Sequence, residues 1–246
     1  VKLSTIKDEI STTNNVQDVY IEVLDGRQEI LILANAPHPD LKALKLSVEH
    51  NENYKVTTQF LNRFDGNIEA YSLVIVHQIP GENAMISEIN KSETSIWFIL
   101  DAKTNTNVFN KFKTGLIIKN SKGQTNQVSA SVNEQFPLFS PSKETVSYIN
   151  KTSPLLSLFG TYTFEESGYS LLHQKIGSIE TESPLMSFFQ QENKKVAVLC
   201  GEGIWRWRML EYKKTKKHEA FNEFVNKTVQ FLSVKEDKSK FRLIVK

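Results

Sequence analysis

Residues 29–49 read EILILANAPHPDLKALKLSVE, and no other stretch constrains the fold as strongly. The unbroken apolar run at 30–34 has the pattern of a strand buried on both faces, as in the middle of a parallel sheet. Pro37 and Pro39 end it, because proline cannot donate to a ladder and restricts the residue before it. Asp40 is placed to cap a helix, and Leu41, Leu44, Leu46 and Val48 give that helix an apolar side. A buried strand, a tight loop and a helix form the first half of a βαβ unit.

The rhythm continues. Residues 71–77 (YSLVIVH) and 95–100 (SIWFIL) read as further buried strands, and 54–60 (YKVTTQF) is rich in β-formers. Residues 82–91 read as a helix with Met85, Ile86 and Ile89 on one face. Val108, Phe109 and Phe112 mark a shorter helix ended by Gly115. Such alternation predicts a doubly wound α/β sheet, mainly parallel. Residues 119–140 lose the rhythm and are expected to be an insertion or a pair of strands, and 154–159 an apolar loop. Three closely spaced strands at 170–176, 184–190 and 195–199 predict an antiparallel or mixed meander at one edge. Helices are expected at 142–149, with Ser142 as N-cap, at 204–212 and at 218–232. Residues 16–24 alternate like a half-buried strand, which fits an edge strand or, preferably, the tail of a preceding β module. Residues 236–246 read as a linker into a following module that opens with FRLIV.

Composition narrows the function classes. A net charge of +2 gives no footprint for nucleic acid. One cysteine excludes an internal disulfide and a multi-cysteine metal site. No apolar run approaches the roughly 18 residues that a membrane span needs, so this segment is expected not to cross a bilayer. The chain begins at Val1, without methionine, as a processed or excised form would.

Three groups of residues could carry chemistry. Cys200 ends an apolar strand and precedes Gly201-Glu202-Gly203 and a helix, the context of a nucleophile elbow. The elbow glycines are replaced by Val198 and Glu202, and a buried structural thiol is the competing reading. His38 and His77 end predicted central strands, where open α/β sheets bind ligands. With Asp40 and Asp101 they could form one crevice that binds a metal or serves as acid and base, although strands must exit into polar loops in any such sheet. Two histidines without a tight spacing signal do not specify a metal site, so neither metal nor cofactor is expected. The string Glu202-Gly203-Ile204-Trp205-Arg206-Trp207-Arg208 could place arginines over a tryptophan face and hold an anion, with Trp205 and Arg208 sharing a helix face. The competing reading buries one tryptophan and pairs the arginines with Glu202 and Glu211.

The strings ILANAPHPDLKAL, HQKIGSIETESPLMSFFQ and VAVLCGEGIWRWRMLEY, with the helical stretch that follows, resemble the class I glutamine amidotransferase-like domain of large bacterial envelope proteins. The resemblance covers residues 29–235. It implies a three-layer flavodoxin-like α/β fold with an antiparallel edge, and a periplasmic or extracytoplasmic position. It also implies partners among other modules of the same envelope protein, or a separate protein. Working members of the class place a cysteine at an elbow after a central strand. The matching place here reads Leu100-Asp101-Ala102-Lys103-Thr104, and the His-x-Glu pair is missing at His218-Glu219-Ala220. A non-catalytic binding or scaffolding module is therefore expected, with no catalytic residues. The cysteine-free sugar-utilisation branch of the same superfamily keeps a hydrolase or sugar-modifying enzyme as the alternative.

Overall fold

The structure is a computed structural model and describes residues 26–79, 84–191 and 193–234. The expected strands at 16–24 and in FRLIV lie outside these residues. Strand β1 (Gln28–Ala34) is fully buried from Ile30 onward, as its uninterrupted apolar run requires. It pairs in parallel with β2 (Tyr54–Phe60) on one side and β3 (Leu73–His77) on the other. Next come β4 (Ser95–Ile99) and β9 (Lys195–Leu199), also parallel. Side chains along β1 alternate between two cores. Ile30 and Ile32 join one core, and Leu31 and Leu33 join the other. Helices α1 (Pro39–Val48), α5 (Trp205–Thr215) and α6 (Glu219–Ser233) supply the first core, and α2 (Ala84–Lys91) and α3 (Thr106–Phe109) the second.

The antiparallel part is larger than an edge. Strands β5 (Leu116–Val132), β6 (Leu155–Phe164), β7 (Gly168–Ile176) and β8 (Ile179–Gln190) extend the same sheet. The order is β2-β1-β3-β4-β9-β8-β7-β5-β6, a nine-stranded mixed sheet among the described residues. Half of its strand pairings are thus antiparallel.

Three local expectations are corrected. The region read as an insertion or strand pair from 119 is one long strand, β5, up to Val132. It changes register between Asn120 and Thr125, and this irregularity hid its periodicity. The apolar loop expected at 154–159 is largely the start of β6, where Leu155, Ser157 and the adjacent Leu158 are all buried, so the alternation breaks. In α1, Leu46 is 43% exposed, because five residues after Leu41 a helix has turned away from the buried side. Helix α4 (Lys143–Ile149) does start on Ser142, whose hydroxyl accepts from the Thr145 N–H at 3.2 Å.

Candidate functional site

Strand β1 leads into α1 on one face of the sheet, and β3 leads toward α2 on the other. The carboxyl ends of β1 and β3 therefore form a topological switch point, where open α/β sheets leave a crevice. The backbone closes its floor: Asn35 N–H donates to the His77 carbonyl at 3.1 Å.

His38, not Asp40, is the N-cap of α1. Pro39 fills the first helical position, which its fixed φ favours, so the helix starts earlier than expected. The His38 backbone is extended, and its Nδ1 lies 3.2 Å from the Asp40 N–H. Asp40 is thereby turned inward and fully buried. Its Oδ1 accepts from the Trp205 N–H at 2.8 Å and its Oδ2 from the Gly203 N–H at 2.8 Å. The same Oδ2 lies 3.3 Å from His77 Nε2 and 3.3 Å from His38 Nδ1. One carboxylate thus joins the β1–α1 loop, the end of β3 and the turn between β9 and α5.

The turn is built for this. Gly203 has φ +104, a left-handed conformation natural to glycine, and a Cβ there would meet the Arg206 guanidinium at 2.5 Å. Glu202 is pinned to the first residues of β6 by two backbone hydrogen bonds with Leu156, at 3.1 and 3.2 Å.

His77 is wholly buried, and its Nδ1 has no hydrogen-bond partner. Its ring lies 4.8 Å from that of His38. His38 and Glu202 face outward, with side chains 20% and 18% exposed, and His38 Nε2 is 3.5 Å from Glu202 Oε2. The hydrogen bond with Asp40 raises the His38 pKa against the opposing effect of burial, helped by the charges of Asp40, Glu202 and Asp101. Burial alone would push the Asp40 carboxyl up. Hydrogen bonds from His38, His77, Gly203 and Trp205 overcome that and hold it far below the usual carboxylate range.

Of the four predicted crevice residues, the structure brings His38, Asp40 and His77 together, with donor atoms within 4.8 Å of one another. Asp101 stands outside that group. Its carboxylate accepts from Thr104 Oγ1 at 2.6 Å, and the same hydroxyl accepts from the Asp101 N–H. Trp205 contributes its backbone N–H, and its half-buried ring carries Arg206, not Arg208, at 5.9 Å. Arg206 donates to the Pro154 carbonyl at 2.9 Å. Arg208 turns elsewhere: burial lowers its pKa, the Glu211 charge opposes this, and its buried Nε has no partner. Cys200 is buried, and burial pushes its thiol far up. The link between the HPD segment and the Gly-Glu-Gly turn escaped the sequence analysis, which weighed the two separately. The available signal was Asp40 itself, since an inward carboxylate needs exposed backbone N–H groups and a glycine turn supplies them.

No family model matches the chain, and no curated protein matches it. Among solved structures it is similar to PurLQS from Thermotoga maritima, with 15% identity, 83% of this chain and 98% of that one covered, and a TM-score of 0.52. It is also similar to cytoplasmic protein STM3548 from Salmonella typhimurium, at 11% identity, 82% and 98% coverage and a TM-score of 0.51. A third likeness is to the exo-beta-1,4-mannosidase Op5Man5 from Opitutaceae bacterium strain TAV5, at 10% identity and a TM-score of 0.51. That match covers 86% of this chain and 37% of the other. These comparisons correct the expected periplasmic or extracytoplasmic position, because solved neighbours include cytoplasmic proteins. Among the described residues no helix is long and apolar enough to cross a membrane. The likeness to amidotransferase-like proteins holds at the level of the α/β fold, and the envelope setting gains no support.

Proposed function

We propose that this chain is a non-catalytic amidotransferase-like domain of flavodoxin-like architecture. It acts as a binding or scaffolding module through the crevice at the ends of β1 and β3. The parallel strands run β2-β1-β3-β4-β9, which is the flavodoxin order with β9 as fifth strand. The observation that carries the reading is the fate of the nucleophile. After β4, where the resembling class has its cysteine, Asp101 is buried and tied to Thr104. The chain's thiol sits at the end of β9, sealed in the core.

The convergence around His38 favours a second reading, a hydrolase or sugar-modifying enzyme using His38, Asp40, His77 and Asp101. A partly exposed imidazole backed by a buried carboxylate is the arrangement of a general acid–base. A panel of glutamine, simple amides, nitrophenyl esters and nitrophenyl glycosides separates the two readings. The module reading predicts no release above the buffer rate. Turnover that disappears in His38→Ala or Cys200→Ser would replace it with the enzyme reading.

A further inference from the structure

We infer that His38, Asp40 and His77 form a site for a divalent transition-metal ion, with zinc the best-suited occupant. The first support is distance. Both imidazole nitrogens lie 3.3 Å from the same Asp40 oxygen. Charge-assisted hydrogen bonds between such groups run about 2.7–2.9 Å. Asp40 achieves that length elsewhere, at 2.8 Å from both the Gly203 and the Trp205 N–H. Bonds of about 2.0–2.1 Å put neighbouring donors about 3.3–3.5 Å apart, the spacing of both contacts to Asp40. The three donor atoms together lie within 4.8 Å, so loading draws the two imidazoles closer and turns the His38 Nδ1 lone pair from the Asp40 N–H to the ion. Two imidazoles and a carboxylate are a donor set that zinc accepts.

The second support is the surround. Ligating histidines commonly donate their other ring N–H to a carboxylate, and ligating carboxylates are themselves hydrogen-bonded. His38 points Nδ1 at Asp40 and offers Nε2 to Glu202 at 3.5 Å. Asp40 receives two backbone N–H groups. The third support is His77, which is wholly buried with Nδ1 unpartnered, so Nε2 alone anchors the ring. Leaving a buried ring nitrogen without a partner costs its desolvation, which a metal bond at Nε2 would offset. With three protein donors, a tetrahedral ion keeps one position, and His38 and Glu202 mark the side of the site that reaches solvent. That position would give the crevice an electrophilic anchor for an anionic ligand.

The inference goes beyond the proposed function and does not rest on it, because metal binding and turnover are read separately. Chelator-treated protein is titrated with Zn²⁺ by calorimetry and with Co²⁺ by visible absorption. One ion per chain is expected, with the Co²⁺ spectrum of a low-coordinate nitrogen–oxygen site. His38→Gln and His77→Gln should each weaken binding more than about 100-fold, beyond the roughly 10–100-fold expected for Glu202→Gln as an outer partner. His173→Gln, on β7 and outside the cluster, should leave binding unchanged. Absence of saturable binding at one equivalent would overturn the inference, as would binding that survives both histidine changes. If His77→Gln fails to fold, the partly exposed His38 decides the question, with circular dichroism to show that its variant is native.

Discussion

Replacing Asp40 with alanine is expected to destabilise the fold by roughly 3–5 kcal/mol, the range for removing one partner of a buried charged network. The change strands the N–H groups of Gly203 and Trp205 in a dry interior and removes the acceptor shared by His38 and His77. Three segments distant in sequence lose their common tie. Denaturant unfolding of wild type and Asp40→Ala would show it as a shift in midpoint without a change in slope. Asp40→Asn should recover little, since its amide must aim a donor at groups that already donate.

The pH dependence follows from the same node in the metal-free protein. The folded Asp40 pKa lies below its ordinary value of 3.8, so its contribution is present above that value and is lost as pH falls toward the folded one. The folded His38 pKa is raised above 6.5, so its contribution is complete below 6.5 and is lost as pH rises through the folded value. The tie is strongest between these two ranges.

Trp207→Ala is expected to cost about 3–5 kcal/mol, as for other fully buried large aromatics. Trp207 has no exposed surface, its Nε1 donates to the Ser153 carbonyl at 2.7 Å, and its ring packs 5.9 Å from Phe224. Its own carbonyl accepts the Tyr148 hydroxyl, so the residue links α5 to α4 and α6. Trp205→Ala should cost less than about 1 kcal/mol, in the range of exposed or half-exposed changes, because its contribution to Asp40 comes from the backbone. Paired melts of the two variants test this division of a string in which the tryptophans are two residues apart.

The central strands were legible because burial on both faces leaves an unmistakable apolar run. Tyr54–Phe60 and Lys195–Leu199 match the expected limits. β5 and β6 were hidden for a physical reason. Their pairing slips between Asn120 and Thr125, where Gly160 lies so close to the Lys119 carbonyl that a Cβ would stand 2.1 Å from it. A slip erases the two-residue period that identifies a strand. His38 and His77 were legible as strand-end neighbours. The partner of Asp40 was not, since Gly203 and Trp205 act through backbone N–H groups that any residue but proline carries. The competing reading of the tryptophan string buried one ring, and Trp207 is that ring. The arginine facing Trp205 was misassigned, because helix α5 begins at Trp205 itself and Arg206 folds back toward Pro154.

The proposed module reading requires that the chain carry no reachable thiol nucleophile, and alkylation of the native protein with iodoacetamide at neutral pH tests it most directly. Cys200 is 2% exposed with its thiol held in the neutral form by burial, so labelling should proceed only as fast as the protein opens and should become rapid in denaturant. Rapid, pH-dependent labelling of the folded protein with a reactive-thiolate profile would contradict the account and put Cys200 back at the centre of a catalytic mechanism.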